Sequence, residues 1–220
     1  MIALRPSQSS DLDALYAISL ATGLAGGDAA HLYDDPRLMG HIYIGPYASL
    51  APGLTLVVED AAGVGGYVTG ALDSDAWSAR LEAEWWPQLR ARYAEPAGAP
   101  ESWTADQRRC AMIHHPEAPL AAVAADYPAH LHMNLLPRLQ GQGLGSRLLA
   151  AWLALAAGQG ARAVHIGVNH LNTGGLAFWG KRGFRRLSLK GQPTGRTIWM
   201  GRHLAHGDLD LAQRNGPLSR

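Results

Sequence analysis

The chain has 220 residues, enough for one domain with a substantial core. Hydrophobic residues make up 47% and charged residues 17%, which excludes wholesale disorder, and a net charge of +1 gives no broad electrostatic footprint for nucleic acid. The single cysteine, Cys110, excludes an internal disulfide and a cysteine-based zinc site, so a reducing cytoplasm is the expected compartment.

Met1 to Pro6 lacks the charged-then-apolar pattern of a signal peptide, and no apolar run approaches the roughly 18 residues of a membrane helix, so no membrane association is expected. Ile2–Leu4 reads as a short strand closed by Pro6. Ser9 or Ser10 then caps a helix whose face is Leu12, Leu15, Tyr16, Ser19 and Leu20, ending near Gly23. Residues 24–53 are broken by Gly26-Gly27, Asp35-Pro36 and Gly45-Pro46, with Arg37–Ile44 either a short helix or extended. Leu54–Glu59 and Val64–Leu72 form a hairpin, and Gly65-Gly66 suggests a bulge or a close backbone approach.

Asp73–Arg92 reads as one helix, with Trp77, Leu81, Trp85 and Leu89 four residues apart. Tryptophans at that spacing are core residues more often than they line an acceptor cleft. Residues 101–127 read as loop with one short helix, and 73–127 together read as an insertion into a single domain spanning 1–206. Ala129–Leu135 alternates His130, His132 and Asn134 with Leu131, Met133 and Leu135, so the polar side chains share one face of a strand. A helix over Gly145–Ala157, a strand over Ala163–Val168 and a helix over Thr173–Lys181 follow. Phe184–Leu189 and Thr197–Leu204 close the pattern as paired strands joined through Gly191, Pro193 and Gly195, before a polar tail at 207–220. The order implies an α/β fold with a mixed central sheet.

The run Leu135-Leu136-Pro137-Arg138-Leu139-Gln140-Gly141-Gln142-Gly143-Leu144-Gly145-Ser146 joins a strand to a long helix. Its alternate glycines let backbone approach a ligand, and the helix presents unpaired N–H groups at its positive end. Together these suit a pyrophosphate, with Arg138 and Gln140 as added donors. Ser146 stands where a dinucleotide fingerprint needs its third glycine, and no Gly-Lys-Ser/Thr follows, which disfavours nicotinamide binding and a P-loop.

Gln140-Gly141-Gln142-Gly143-Leu144-Gly145 resembles the Q/R-x-x-G-x-G/A motif of the GNAT acyltransferases. Asn172-Thr173-Gly174-Gly175-Leu176-Ala177-Phe178-Trp179 through Gly183-Phe184 resembles the family's second block, and Leu4-Arg5-Pro6 with Asp11-Leu12 its opening. Tyr33–Arg37, His41–Tyr47 and His132–Pro137 further resemble bacterial relatives of the acetyltransferase-like domain of O-GlcNAcase.

The resemblance implies a mostly antiparallel sheet flanked by helices, and acetyl-CoA as cosubstrate. It assigns the pantetheine amides to the backbone of Met133 and Leu135, and the pyrophosphate to Gln140, Gly141, Gln142, Gly143, Leu144, Gly145 and Ser146. Asn172 would meet the pantetheine arm, and Phe178 and Trp179 would pack along it. It implies direct attack by an amine on the thioester, with a backbone N–H near Met133 for the oxyanion. For the general base this requires, the residues offer His132 first, then Asn134 on the same polar strand face and Asp73 at the end of the hairpin strand. Asp34 and Asp35 are further acidic candidates.

The family often has a tyrosine to protonate the thiolate. Here Trp179 stands in its place, so Tyr127, Tyr43 or water must serve, or catalysis is weak and the fold acts as a binding module. The acceptor is an amine of a small molecule, an aminosugar or a peptide, and a homodimer is compatible. No metal is expected, although His130 and His132 share a strand face. Lys181, Arg182, Arg185, Arg186 and Lys190 form a basic cluster suited to a cofactor phosphate or to solvent.

Overall fold

The computed structural model describes residues 2–117, 120–188 and 196–204. Its strands are β1 (Ala3–Pro6), β2 (Leu56–Asp60), β3 (Gly63–Ala71), β4 (Ala129–Leu135), β5 (Ala163–Asn169), β6 (Arg185–Arg186) and β7 (Thr197–His203). They form one sheet in the order β1-β2-β3-β4-β5-β7-β6, antiparallel except where β4 meets β5. Gly65 is skipped in the β2–β3 register, so the expected bulge is present. A side chain there would collide with Arg138.

Period-two alternation assigns the two sheet faces. On one face Val58, Val68, Leu131 and Ile166 meet α8 (Leu144–Gly158), which buries Leu148, Leu149, Trp152 and Leu153. Trp152 is fully buried and donates its indole N–H to the Leu54 carbonyl at 3.0 Å, so its large apolar surface is covered without an orphaned donor. On the other face Val57 and Tyr67 meet α1 (Leu12–Ala21) through Leu15, Tyr16 and Ile18.

A third cluster fills the space beside the second face. It joins α2 (Leu38–Tyr43) and α3 (Gly45–Leu50) to α4 (Ser74–Glu84), α5 (Trp86–Arg92) and α6 (Ala105–His114). Trp77, Trp85 and Trp86 are buried there, and Trp77 stacks on Tyr47 with ring centroids 4.7 Å apart. They are core residues, not a cleft lining. The remaining helices are α7 (Ala121–Ala124) and α9 (Thr173–Lys181). No helix among the described residues is long and apolar enough to cross a membrane.

Several boundaries differ from the sequence reading. Residues 73–92 make two helices, because Pro87 offers no N–H and its ring would clash with the carbonyl one turn back; the chain breaks at Trp85. Ser9 and Ser10 do not cap α1. They lie in a short 3-10 turn closed by a reciprocal pair between Gln8 and Asp11, and Asp11 is also bound by Arg5 at 2.7 Å. α6 runs ten residues, longer than the short helix expected within 101–127, and Thr104 and Gln107 form the capping box that starts it. Arg37–Ile44 resolves to α2. The strand from Phe184 narrows to the two residues of β6, and Leu189, the Gly191–Gly195 connection, Lys190 and the 207–220 tail lie outside the described residues.

Gly40 shows how tightly α2 sits on α1. A Cβ there would stand 2.2 Å from the Tyr16 ring. Gly40→Ala is expected to lower unfolding free energy by about 3 kcal/mol through overpacking, read as a reduced urea midpoint at unchanged m-value.

Candidate functional site

β4 is bonded unequally on its two sides. Against β3 the register runs unbroken from Ala71↔His130 to Gly66↔Leu135. Against β5 it holds only Ala129↔Val164 and His130↔His165. Beyond His130 the strands diverge and leave a gap.

The direction of the backbone groups follows by alternation. Leu136 N–H donates to the Gly65 carbonyl at 2.8 Å, so even-numbered residues of β4 direct their polar groups toward β3. The amide groups of Met133 and Leu135 therefore point into the gap, while Leu131 sits at its closed end beside the His130↔His165 pair. Gln140 Nε2 donates to the Leu135 carbonyl at 2.8 Å from that side.

The gap opens into a cleft of about 570 Å³. Met133, Asn134 and Leu135 form its floor. Gln140, Gly141, Gly143, Gly145 and Ser146 form one wall, and Asn172, Gly174, Gly175, Phe178 and Trp179 the other. The amides of Gly141, Gln142, Gly143, Leu144 and Gly145 find no acceptor among the described residues. Gly141 and Gly143 adopt φ of +73° and +76°, which orients those N–H groups outward and favours glycine. Five orphaned amides at the positive end of the fifteen-residue α8 make an anion cradle. α9 adds its own N-terminus, where the Asn172 side chain caps the Gly175 N–H at 2.8 Å.

The opposite face of β4 holds the histidines. Tyr47 O–H lies 2.7 Å from His130 Nε2 and 3.2 Å from His132 Nε2. Both Nε2 atoms are thus taken by one phenol, which opposes their use as a metal pair. Burial pushes His132 down to about 4 and His130 well below its ordinary value, with the other histidines adding to the effect. Tyr43 sets its ring edge against His132 at 6.0 Å, and the Arg109 guanidinium lies 5.5 Å from the Tyr43 ring centre. Asn134 donates to Thr22 Oγ1 at 2.5 Å, tying β4 to the end of α1.

This architecture has counterparts. The model of the Acetyltransferase (GNAT) family matches residues 77–184. The crystal structure of SsHAT superposes with a TM-score of 0.85 at 35% identity, covering 93% of this chain and 99% of that one. The chain belongs to the GNAT acetyltransferase family. Protein O-GlcNAcase of Rattus norvegicus and of Mus musculus is 24% identical over 183 residues, 79% of this chain. The chain spans only 20% of the length of those curated relatives. N-acetylglutamate synthase from Neisseria gonorrhoeae, solved with coenzyme A and N-acetyl-glutamate, shares the fold at 16% identity and a TM-score of 0.50, covering 94% of this chain and 36% of that one.

Within this GNAT chain the residues read from sequence separate into two groups. Met133, Asn134, Leu135, Gln140, Gly141, Gly143, Gly145, Ser146, Asn172, Phe178 and Trp179 share the cleft. Five others do not present side chains to it, and one of them is His132, which lies against Tyr47 on the polar face of β4 and is not among the residues lining the cleft. Arg138 pairs with Asp60 at 3.1 Å and bonds the Gly63 carbonyl, so it braces the β2–β3 hairpin. Gln142 folds back onto the Arg138 carbonyl, Leu144 is buried in the core, and Asp73 caps α4 by accepting from Ala76 N–H. Asp73 also lies beyond the Ala71↔His130 pair, at the end of the ladder away from the gap. Asp35 accepts from the Tyr93 hydroxyl and the Arg37 N–H, and Tyr127 packs on His203 and Gly201. Cys110 packs against the tryptophan cluster.

Sequence reasoning missed Thr22, Ala25 and Gly26, which line the cleft from the loop after α1. Only the punctuating Gly26-Gly27 hinted at them. Arg182, one of the basic cluster, lines the mouth and donates to Ser146 Oγ at 2.9 Å, whereas Arg185 and Arg186 face solvent.

Burial also pushes His41 down to about 4. The unfolded chain takes up protons near pH 6.5 and the folded chain near 4, so stability falls as pH drops through that window. The urea midpoint is expected to decrease steadily from pH 7 to pH 4.5. Part of that slope, at most about 3 kcal/mol per histidine, is expected to vanish in His132→Gln.

Proposed function

We propose that this GNAT chain binds acetyl-CoA in the β4–β5 gap and transfers the acetyl group to an amine. The observation that carries the reading is the strand whose gap-facing amides lead directly into five orphaned amides at a helix N-terminus. An extended amide-bearing arm ending in a pyrophosphate is the ligand complementary to both. The gap-facing groups of Met133 and Leu135 bind the arm as a missing strand would, and the 141–145 turn binds the pyrophosphate. Arg182 sits at the mouth, where a further phosphate of the cofactor would lie.

Bound acetyl-CoA supplies an activated thioester. His132 is neutral near pH 7, but burial that holds it at about 4 leaves it too weak to deprotonate an ammonium, so the acceptor enters as the free amine and shares an N–H with His132 through a hydrogen bond. The amine attacks the thioester carbonyl carbon, and the Met133 N–H stabilises the oxygen that gains charge. The C–S bond then breaks, and the surplus proton on nitrogen passes to the thiolate, directly or through water. Trp179 packs between Phe178 and Phe184 and holds an indole that gives up no proton near neutral pH. That substitution favours the second reading, a module that binds acyl-CoA without turnover.

The variant Ser146→Glu separates these ideas from a folding defect. A carboxylate in the first turn of α8 suits the helix dipole and Arg182, yet opposes a pyrophosphate. Acetyl-CoA affinity by calorimetry is expected to fall on the order of tenfold or more, about 1.4 kcal/mol or more, while the melting temperature holds. An equal affinity in native protein and variant would remove the cradle from the binding site.

A screen of amine acceptors then decides on turnover. His132→Gln is expected to lower kcat on the order of a hundredfold with acetyl-CoA binding intact. Binding without product across amino acids, aminosugars and peptides would establish the second reading.

A further inference from the structure

His132 stands at the end of a hydrogen-bond chain that runs behind β4. His132 Nε2 lies 3.2 Å from the Tyr47 oxygen, which lies 2.7 Å from His130 Nε2. His130 Nδ1 lies 2.6 Å from Ser74 Oγ, which lies 2.8 Å from the Pro128 carbonyl oxygen.

The last contact sets the direction of all the others. A carbonyl only accepts, so the single hydroxyl proton of Ser74 goes to Pro128. Ser74 Oγ must then accept from His130 Nδ1–H. A neutral imidazole protonated on Nδ1 carries its lone pair on Nε2, so His130 Nε2 accepts from Tyr47 O–H. The phenol oxygen in turn accepts from His132 Nε2–H. All four contacts are satisfied in this direction. The reverse direction turns the Ser74 proton toward His130 and gives up its bond to Pro128, whose carbonyl then keeps only the Ser74 N–H at 2.9 Å, so three of the four contacts remain.

The two directions leave opposite chemistry at the far end. In the first, His132 Nδ1 holds a lone pair; in the second it holds a proton. His132 Nδ1 has no partner among the described residues, and it is not among the sealed polar atoms that lack one. It is therefore open to an incoming group. Tyr43 flanks the ring on that side of the chain, with Arg109 behind it, and His165 lies 5.8 Å from His130.

We propose that Ser74, His130 and Tyr47 are positioning residues that lock His132 as the Nε2–H tautomer, so that Nδ1 is the atom that accepts the hydrogen bond from the acceptor's N–H. The chemical role rests on the acyltransferase reading. The tautomer assignment does not.

The test is long-range proton–nitrogen NMR on the full chain labelled with 15N-histidine at pH 7.5. His132 is expected to be protonated on Nε2 alone and His130 on Nδ1 alone. A His132 protonated on Nδ1, or averaging between tautomers, overturns the proposal. Ser74→Ala removes the acceptor that the described residues offer His130 Nδ1–H, so the chain should reverse and His132 should become the Nδ1–H form. The Ser74→Ala kcat is expected to fall at least on the order of tenfold with acetyl-CoA Kd unchanged.

Tyr47→Phe keeps the ring on Trp77 but cuts the chain. Adding Ser74→Ala in that background should leave His132 as it is in Tyr47→Phe alone. A His132 tautomer that ignores Ser74→Ala in the native background refutes the relay. Should Ser74→Ala fail to fold, the native spectrum still decides. Correct tautomers in a protein that turns over no amine would instead sink the acyltransferase reading and leave the assignment standing.

Discussion

The structure turns on the unequal bonding of β4. One edge of that strand is paired along its length with β3, and the other is paired with β5 for only two residue positions. Buried backbone amides left without partners cost free energy comparable to a lost hydrogen bond. A strand edge left open inside a protein is therefore suited to a ligand that supplies those partners, which is the basis of the proposal for this cleft. Parallel pairing with β5 fixes the start of the opening, and the unbroken β3–β4 ladder holds β4 on its other side.

The same strand carries a second kind of chemistry on its polar face. His130, His132 and Asn134 sit on alternate residues, away from α8 and toward α1 and the tryptophan cluster. The helices packed on that face supply its side-chain partners. α3 brings Tyr47 to the histidines, α4 brings Ser74, and α6 brings Arg109 behind Tyr43. The cleft is built from β4, the turn before α8 and the start of α9, while these helices cover the polar face of β4.

Much of this was legible beforehand. The period-two pattern of residues 129–135 gave β4 with its boundaries and its polar face, because alternation is a direct consequence of the pleat. The alternate glycines before α8 announced a turn that only residues tolerant of positive φ adopt. The core of α8 and the N-terminus of α9 followed from spacing alone. Less legible were the elements whose ends depend on a partner. Arg138 looked like a phosphate donor because it lies beside the glycine turn, but Asp60 on a hairpin far away in sequence claims it. Asp73 looked like a base at the end of a strand, but the helix that begins beside it uses the carboxylate as a cap.

The sequence by itself therefore determined the strand and helix order, the glycine turn, and the side of β4 on which polar groups stand. These depend on local sterics and on periodicity, which a chain carries in its own order. Only the tertiary structure decided where β4 parts from β5, that Thr22 and Gly26 close the cleft, and that one phenol joins two histidines. Each of these joins residues tens of positions apart. Which long-range contact forms depends on how three hydrophobic clusters pack at once, and no local pattern encodes that.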